Sequence, residues 1–283
     1  MRSHKLLTVL GLIIVLAFAG CGDDSTAPTE QIGSDLDPEF MAVQGEIEYF
    51  ADSTFKFFVN GLSNLTLLAG EDEFIDPVHY GPVFPDSDYV STSYMYGWHV
   101  VTIARNRTIY ATQMCDSVQF YGDGEVPGIG QVTRGSENAD SLYYKHIWSY
   151  NVHDTENTHT NYSGDVDFRL NGLQTSMATI NGRHCMTVQA QYVFADSVVH
   201  RDFEFDTDLT DFEVQRTGSG WAQGCPVTGT AAGTVQMSYT RDDNAPVTST
   251  WSFTLAFTDG SMAATVRRGN TVWSYQADMC ATP

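Results

Sequence analysis

Thr248-Ser249-Thr250-Trp251-Ser252-Phe253-Thr254-Leu255-Ala256-Phe257 is the stretch that decides the fold. Successive side chains of an extended chain point to opposite faces, so Trp251, Phe253, Leu255 and Phe257 share one face while Ser252, Thr254 and Ala256 share the other. One apolar and one polar face is the pattern of an antiparallel strand with a core on one side and water on the other. Residues 271–279 repeat it with Trp273, Tyr275, Ala277 and Met279. The sheet these strands belong to is therefore covered on a single face.

Outward from this pair the same texture runs back to about residue 94, with turn residues every 8 to 15 or so positions. Asp259-Gly260 and Gly269-Asn270 mark turns of a closing meander, and Asn181-Gly182 is the strongest short hairpin signal, predicting a turn between strands 175–180 and 183–194. Runs at 198–207 and 212–216 are expected as separate strands. The sum is about twelve strands in hairpins. Residues 71–88, with Pro77, Pro82 and Pro85, read as an irregular loop.

Before residue 94 the period is different. Asp37 is placed to cap a helix that has Pro38 at its first position and Glu39 in its first turn. Phe40, Val43, Ile47, Phe50, Thr54 and Phe58 then recur at helical spacing and predict an amphipathic helix over about 38–60. Glu39, Glu46, Glu48 and Asp52 crowd its polar face, which favours packing on a domain over lying on a membrane surface. The expected architecture is one large curved antiparallel sheet, half-open or a closed barrel, packed on this helix. A two-sheet β-sandwich is the alternative. A membrane-spanning barrel is disfavoured by Asp165, Asp167, Asp202, Glu204 and Asp206, which interrupt any lipid-facing band.

The first residues have the grammar of an export signal: Arg2 and Lys5, an apolar run over 6–18, then small Ala19 and Gly20. Cys21 follows directly. Leu16-Ala17-Phe18-Ala19-Gly20-Cys21 resembles the lipobox of bacterial lipoproteins, with Phe18 where Leu is commoner. The resemblance implies that 1–20 is removed, that the Cys21 sulfur carries a diacylglycerol, and that its new amino group is acylated, palmitate being a typical chain. Two or three acyl chains hold a protein to a bilayer stably where one does not. Residues 21–36 are polar, small and acidic, a lipidated flexible tether, and 37–283 form a single β-rich domain. The location implied is the cell envelope, on the periplasmic or cell-surface side.

The chain carries a formal net charge of -21, which repels phosphate backbones and excludes nucleic acid as a natural partner. Beyond Cys21 there are Cys115, Cys185, Cys225 and Cys280, an even number in an oxidising compartment with no CxxC spacing, which points to disulfides. Cys225 and Cys280 bracket the last four strands, so up-and-down counting returns them to one end of the sheet. Cys115 with Cys185 follows by elimination.

Three clusters are candidate sites. Tyr144, His146, Trp148 and Tyr150 share a strand face and suit a pocket for a lipid, glycan or aromatic ligand, although a hydrogen-bonded core has the same composition. His153 and His159 flank two carboxylates at a hairpin tip, with donor atoms that suit a transition metal but no preorganised geometry. His200, Asp202, Glu204 and Asp206 alternate with core positions and form an acidic ladder whose oxygens suit Ca2+, without the glycine and spacing of a calcium loop. Asp165 and Asp167 read as exposed polar positions. No GxSxG, HExxH, P-loop or GxGxxG stands in a supporting context, and no catalytic residue or cofactor is assigned. The function expected is a non-enzymatic binding or structural module anchored in the envelope, bound to the bilayer through Cys21 and to a lipid, glycan or protein. A curved sheet around a helix resembles, in architecture alone, carriers of lipids and lipoproteins. The rival is a surface-attached hydrolase or metal-dependent enzyme acting on glycans.

Overall fold

The computed structural model describes residues 30–66, 88–108, 110–122, 131–133, 139–155, 158–194, 197–217, 220–221, 226–242 and 244–279. The signal and the lipobox, Phe58's side chain, the Pro-rich 71–87 stretch, Cys225 and Cys280 lie outside them. In chain order the elements are β1 (Gln31–Ile32), α1 (Pro38–Thr66), β2 (Asp88–Met95), β3 (Trp98–Asn106), β4 (Tyr110–Gly122), β5 (Gln131–Thr133), β6 (Ser141–Thr155), β7 (Thr158–Asn171), β8 (Met177–Phe194), β9 (Ser197–Thr217), β10 (Gly220–Trp221), β11 (Thr228–Arg241), β12 (Val247–Thr258), β13 (Ser261–Arg268) and β14 (Thr271–Asp278).

Among the described residues every strand joins a single 14-stranded sheet with the order β1-β14-β13-β12-β11-β9-β8-β7-β6-β4-β3-β2, β10 flanking β9 and β5 flanking β4. Neighbours along the path pair antiparallel, apart from β1, which runs parallel to β14. The path has two ends that do not meet, so the sheet is curved and open. This is the half-open form of the expected architecture; the sandwich is not formed.

Helix α1 covers the inner face. Asp37 caps it as expected: Oδ1 accepts from the Glu39 and Phe40 amides at 2.9 and 3.2 Å. The stripe Phe40, Val43, Ile47, Phe50 and Thr54 is buried throughout. Phe40 stacks on Trp273 of β14 at 5.1 Å, while Phe50 stacks on Phe205 of β9 at 4.8 Å. The helix thus crosses the strands from β14 towards β8. Each of these apolar side chains contributes about 1.5–3 kcal/mol by leaving water. On β12, Trp251, Phe253, Leu255 and Phe257 are all within 3% of full burial while their neighbours are exposed.

Three expectations are corrected. Asn181-Gly182 does not turn: β8 runs straight through it, with a register shift against β9 between Ile180 and Gly182. A side chain at Gly182 would collide with the Asp167 carbonyl and stand 2.6 Å from Phe168 Cα, so the glycine serves a close strand approach at a bulge. Opposite it Asp211 takes φ 49 and its amide donates to Asn181 Oδ1 at 2.9 Å. The runs 198–207 and 212–216 are accordingly one bulged strand, β9. Second, Cys115 and Cys185 are free thiols. Cys115 faces Ile147, Ile147 faces Asp165 and Asp165 faces Cys185, so three strand spacings of about 4.8 Å separate them, beyond the reach of a disulfide. Third, the last residues of the stretch expected as a flexible tether are docked on β14. Gly33 donates to the Val272 carbonyl at 2.8 Å and Trp273 Nε1 donates to the Ser34 carbonyl at 3.0 Å. Only a glycine fits at position 33, where a Cβ would enter the Trp273 ring.

Candidate functional site

Inward positions of the sheet are mostly apolar, but at one level polar side chains gather. Asp116 (β4), His146 (β6), Val166 (β7), His184 (β8), Thr207 (β9) and Gly233 (β11) stand opposite one another on successive strands. The four polar members are all buried, between 0% and 8% exposed. Buried polar groups need partners. Asp116 Oδ1 accepts from the Tyr144 hydroxyl at 2.6 Å and from His146 Nδ1. The carboxylate thereby fixes Nδ1 as a proton-bearing nitrogen and sets the orientation of the ring.

His184 is held by the helix. Its Nδ1 lies 2.8 Å from Thr54 Oγ1 and its ring stacks on Phe50 at 4.8 Å. Burial pulls its pKa down to about 3, with the nearby His146 adding to the effect, so the ring is neutral near pH 7. Thr207, next to His184 in the register, has a buried Oγ1 without a hydrogen-bond partner among the described residues.

Between α1 and this level lies a cavity of about 160 Å³. Tyr49 and Ser53 of the helix form one wall, and His146, Trp148, Val166, His184 and Met186 form the other. From Tyr49 a run of rings leads outward: Tyr49 to Tyr162 at 6.1 Å, Tyr162 to Tyr150 at 6.5 Å, Tyr150 to Tyr110 at 5.5 Å. Tyr49 and Tyr150 are 47% and 37% exposed, so the run reaches solvent. Burial, with Tyr49 and Glu46 adding, lifts the Tyr162 phenol to about 12. The Glu46 carboxyl is raised by burial too, against the opposing pull of Arg201.

The opposite face of the sheet carries a broad hollow of about 900 Å³, bordered by Lys145, Asp165, Asp167, Cys185, Glu204 and Asp206. Its charges are partly spent on each other: Arg183 holds Asp206 through two bonds of 2.7 and 2.6 Å, which lowers that carboxyl. Burial, then Asp165, raises the Cys185 thiol to about 11, so it stays protonated.

Tyr144, His146, Trp148 and Tyr150 all sit on the inner face of β6 as expected, in a graded series. Tyr144 and His146 are tied up with Asp116, Trp148 walls the cavity, and Tyr150 lies outside it against Tyr110 and Tyr162. His200, Asp202, Glu204 and Asp206 take successive outward positions on β9, with Phe203 and Phe205 buried between them. Among the described residues no group of three or more His, Cys, Asp or Glu converges as a metal site. His153 and His159 pair across β6 and β7, and their side chains lie outside the described residues.

The sequence reading missed Asp116, His184 and Ser53, along with Tyr49, Val166 and Met186 of the cavity walls. A signal existed for two of them. Asp116 falls in the inward series Met114, Asp116, Val118, Phe120, and His184 in the series His184, Met186, Val188, Ala190, polar residues at positions where alternation calls for apolar ones. No protein-family model, curated protein or solved structure matches the chain.

Proposed function

We propose that this chain is a lipoprotein anchored in a bacterial envelope through acylated Cys21, and that its β domain is a non-enzymatic binding module that holds a small ligand between α1 and the sheet. The cavity at the level of His146 and His184 carries this reading. It combines apolar walls, a few fixed polar groups and an aromatic path to the surface, the make-up of a small-molecule site. Its volume of about 160 Å³ is below the roughly 300 Å³ at which drug-sized pockets begin. It suits a single ring or a ring-bearing end of a larger molecule, the remainder lying along Tyr49, Tyr162 and Tyr150. The docked tether supports the anchored reading. The stretch from Cys21 to Glu30 spans at most about 30 Å when fully extended, so an acylated Cys21 holds the domain close to a bilayer.

The test is native mass spectrometry of the protein extracted gently from its membrane. A bound small molecule is expected, and it should be lost in Val166→Phe, which fills the cavity from the floor. Retention of the same molecule in the filled variant would place it elsewhere and end this reading.

One observation favours an enzyme instead. A buried carboxylate that orients an imidazole, as Asp116 does His146, is part of the machinery that activates a nucleophile, and the Ser53 hydroxyl borders the same cavity. Labelling of Ser53 by a fluorophosphonate, abolished in Asp116→Asn, would establish that reading over the first.

A further inference from the structure

The hydrogen bonds around Thr54 determine which nitrogen of His184 carries the proton. A threonine hydroxyl has one hydrogen to give. Thr54 gives it to the Phe50 carbonyl, 2.7 Å away, which can only accept. At the 2.8 Å contact with His184 Nδ1 the hydroxyl oxygen is therefore the acceptor and Nδ1–H the donor. A neutral imidazole has a single ring proton, and burial keeps this ring neutral. Nε2 is left as a bare lone pair on a ring that borders the cavity and is 4% exposed.

A donor that reaches an acceptor in such a place gains more than it would in water. The walls set the rest of the ligand's chemistry. Trp148, Met186, Val166 and Tyr49 present rings and alkyl groups, which disfavour a charged group brought in without a counter-ion. A dry cavity of about 150 Å³ is known to admit a molecule the size of benzene, and this one is about 160 Å³.

Resting on the reading of the cavity as a binding site, we infer that it selects a compact, uncharged ring bearing a hydroxyl or ring N–H, with Nε2 of His184 as the acceptor that recognises that group. Thr54 is a positioning residue in this scheme: it holds the tautomer that keeps Nε2 free.

Phenol and toluene separate this inference from the reading beneath it, because they match in size and differ in the donor. The mature full-length protein with isotopically labelled histidine is titrated with each and followed by NMR. Phenol is expected to bind roughly tenfold or more tightly than toluene and to shift the Nε2 resonance of His184, which toluene leaves in place. His184→Phe should erase the preference for phenol, and Thr54→Val should reduce it by freeing the ring to take its other tautomer. Equal binding of the two probes overturns the inference and leaves a cavity that binds by shape. If neither probe perturbs Trp148 or His184, the inference and the binding-site reading fall together.

Discussion

Among the buried positions of α1, Thr54 is the one polar residue described, and its partner His184 makes the interior sensitive to acid. In the native protein His184 takes up a proton only near pH 3, whereas in the unfolded chain it does so near 6.5 or so. Between these values the unfolded chain binds a proton that the native state refuses. Stability therefore falls as pH drops below about 6.5 and is independent of this group above it, with a slope of at most about 1.4 kcal/mol per pH unit. Urea melts from pH 7 to pH 5 should show this loss, and His184→Phe should flatten it. An unchanged slope in the variant would mean that another group is responsible.

Glycine at 182 belongs to the scale of the strand. Because its missing side chain lets β8 pass against the Asp167 carbonyl and Phe168, Gly182→Ala must push β8 from β7 in the middle of the sheet. A loss of about 2 kcal/mol or more is expected, read from denaturant midpoints. Were the pair a hairpin turn at the surface, a substitution would cost far less. This is also where the sequence misled: Asn-Gly is a turn signal when nothing crowds it, and local chemistry carries no information about a neighbouring strand that leaves no room for a Cβ. The helix was legible to its cap because both stripe and cap are local patterns. β12 and β14 were legible because one face is buried and the other wet. β2 was not, since it lies at the end of the path with no described residue fully buried, so no alternation marks it. The candidate site was half legible for a related reason: β6 advertises its aromatic face within one strand, while Asp116, His146 and His184 meet only through cross-strand register. Register also bears on the remaining cysteines. Pro226 accepts from the Gly260 amide at 3.1 Å, and the Gly260 carbonyl accepts from Met279 at 2.9 Å, so the residues adjacent to Cys225 and Cys280 bond to one and the same glycine. We expect these two cysteines to form a disulfide, contributing about 2–4 kcal/mol. Peptide mapping without reductant should recover the crosslinked pair and find Cys115 and Cys185 as thiols; two unpaired cysteines at 225 and 280 would refute it.

At the scale of the whole molecule, the proposed anchor and the domain make separate demands on the chain. Among the described residues the N-terminal segment is held to the domain from Glu30 onward, where Arg267 pairs with Glu30, Arg268 pairs with Glu39, and Arg268 lies 4.5 Å over the Trp251 ring. The charge of -21 also denies the protein the electrostatic attraction to anionic headgroups that serves other lipidated proteins as a second hold on the membrane. On the proposed anchoring, attachment rests on the acyl chains alone. Cys21→Ser should move the protein wholly from the membrane to the soluble fraction at both low and high salt, with a melting temperature equal to that of the detergent-extracted parent. Mass spectrometry of the parent's mature N-terminus should find an acylated cysteine. Membrane association that survives the substitution would show a docking surface on the domain itself, and an unmodified cysteine in the parent would remove the anchor altogether.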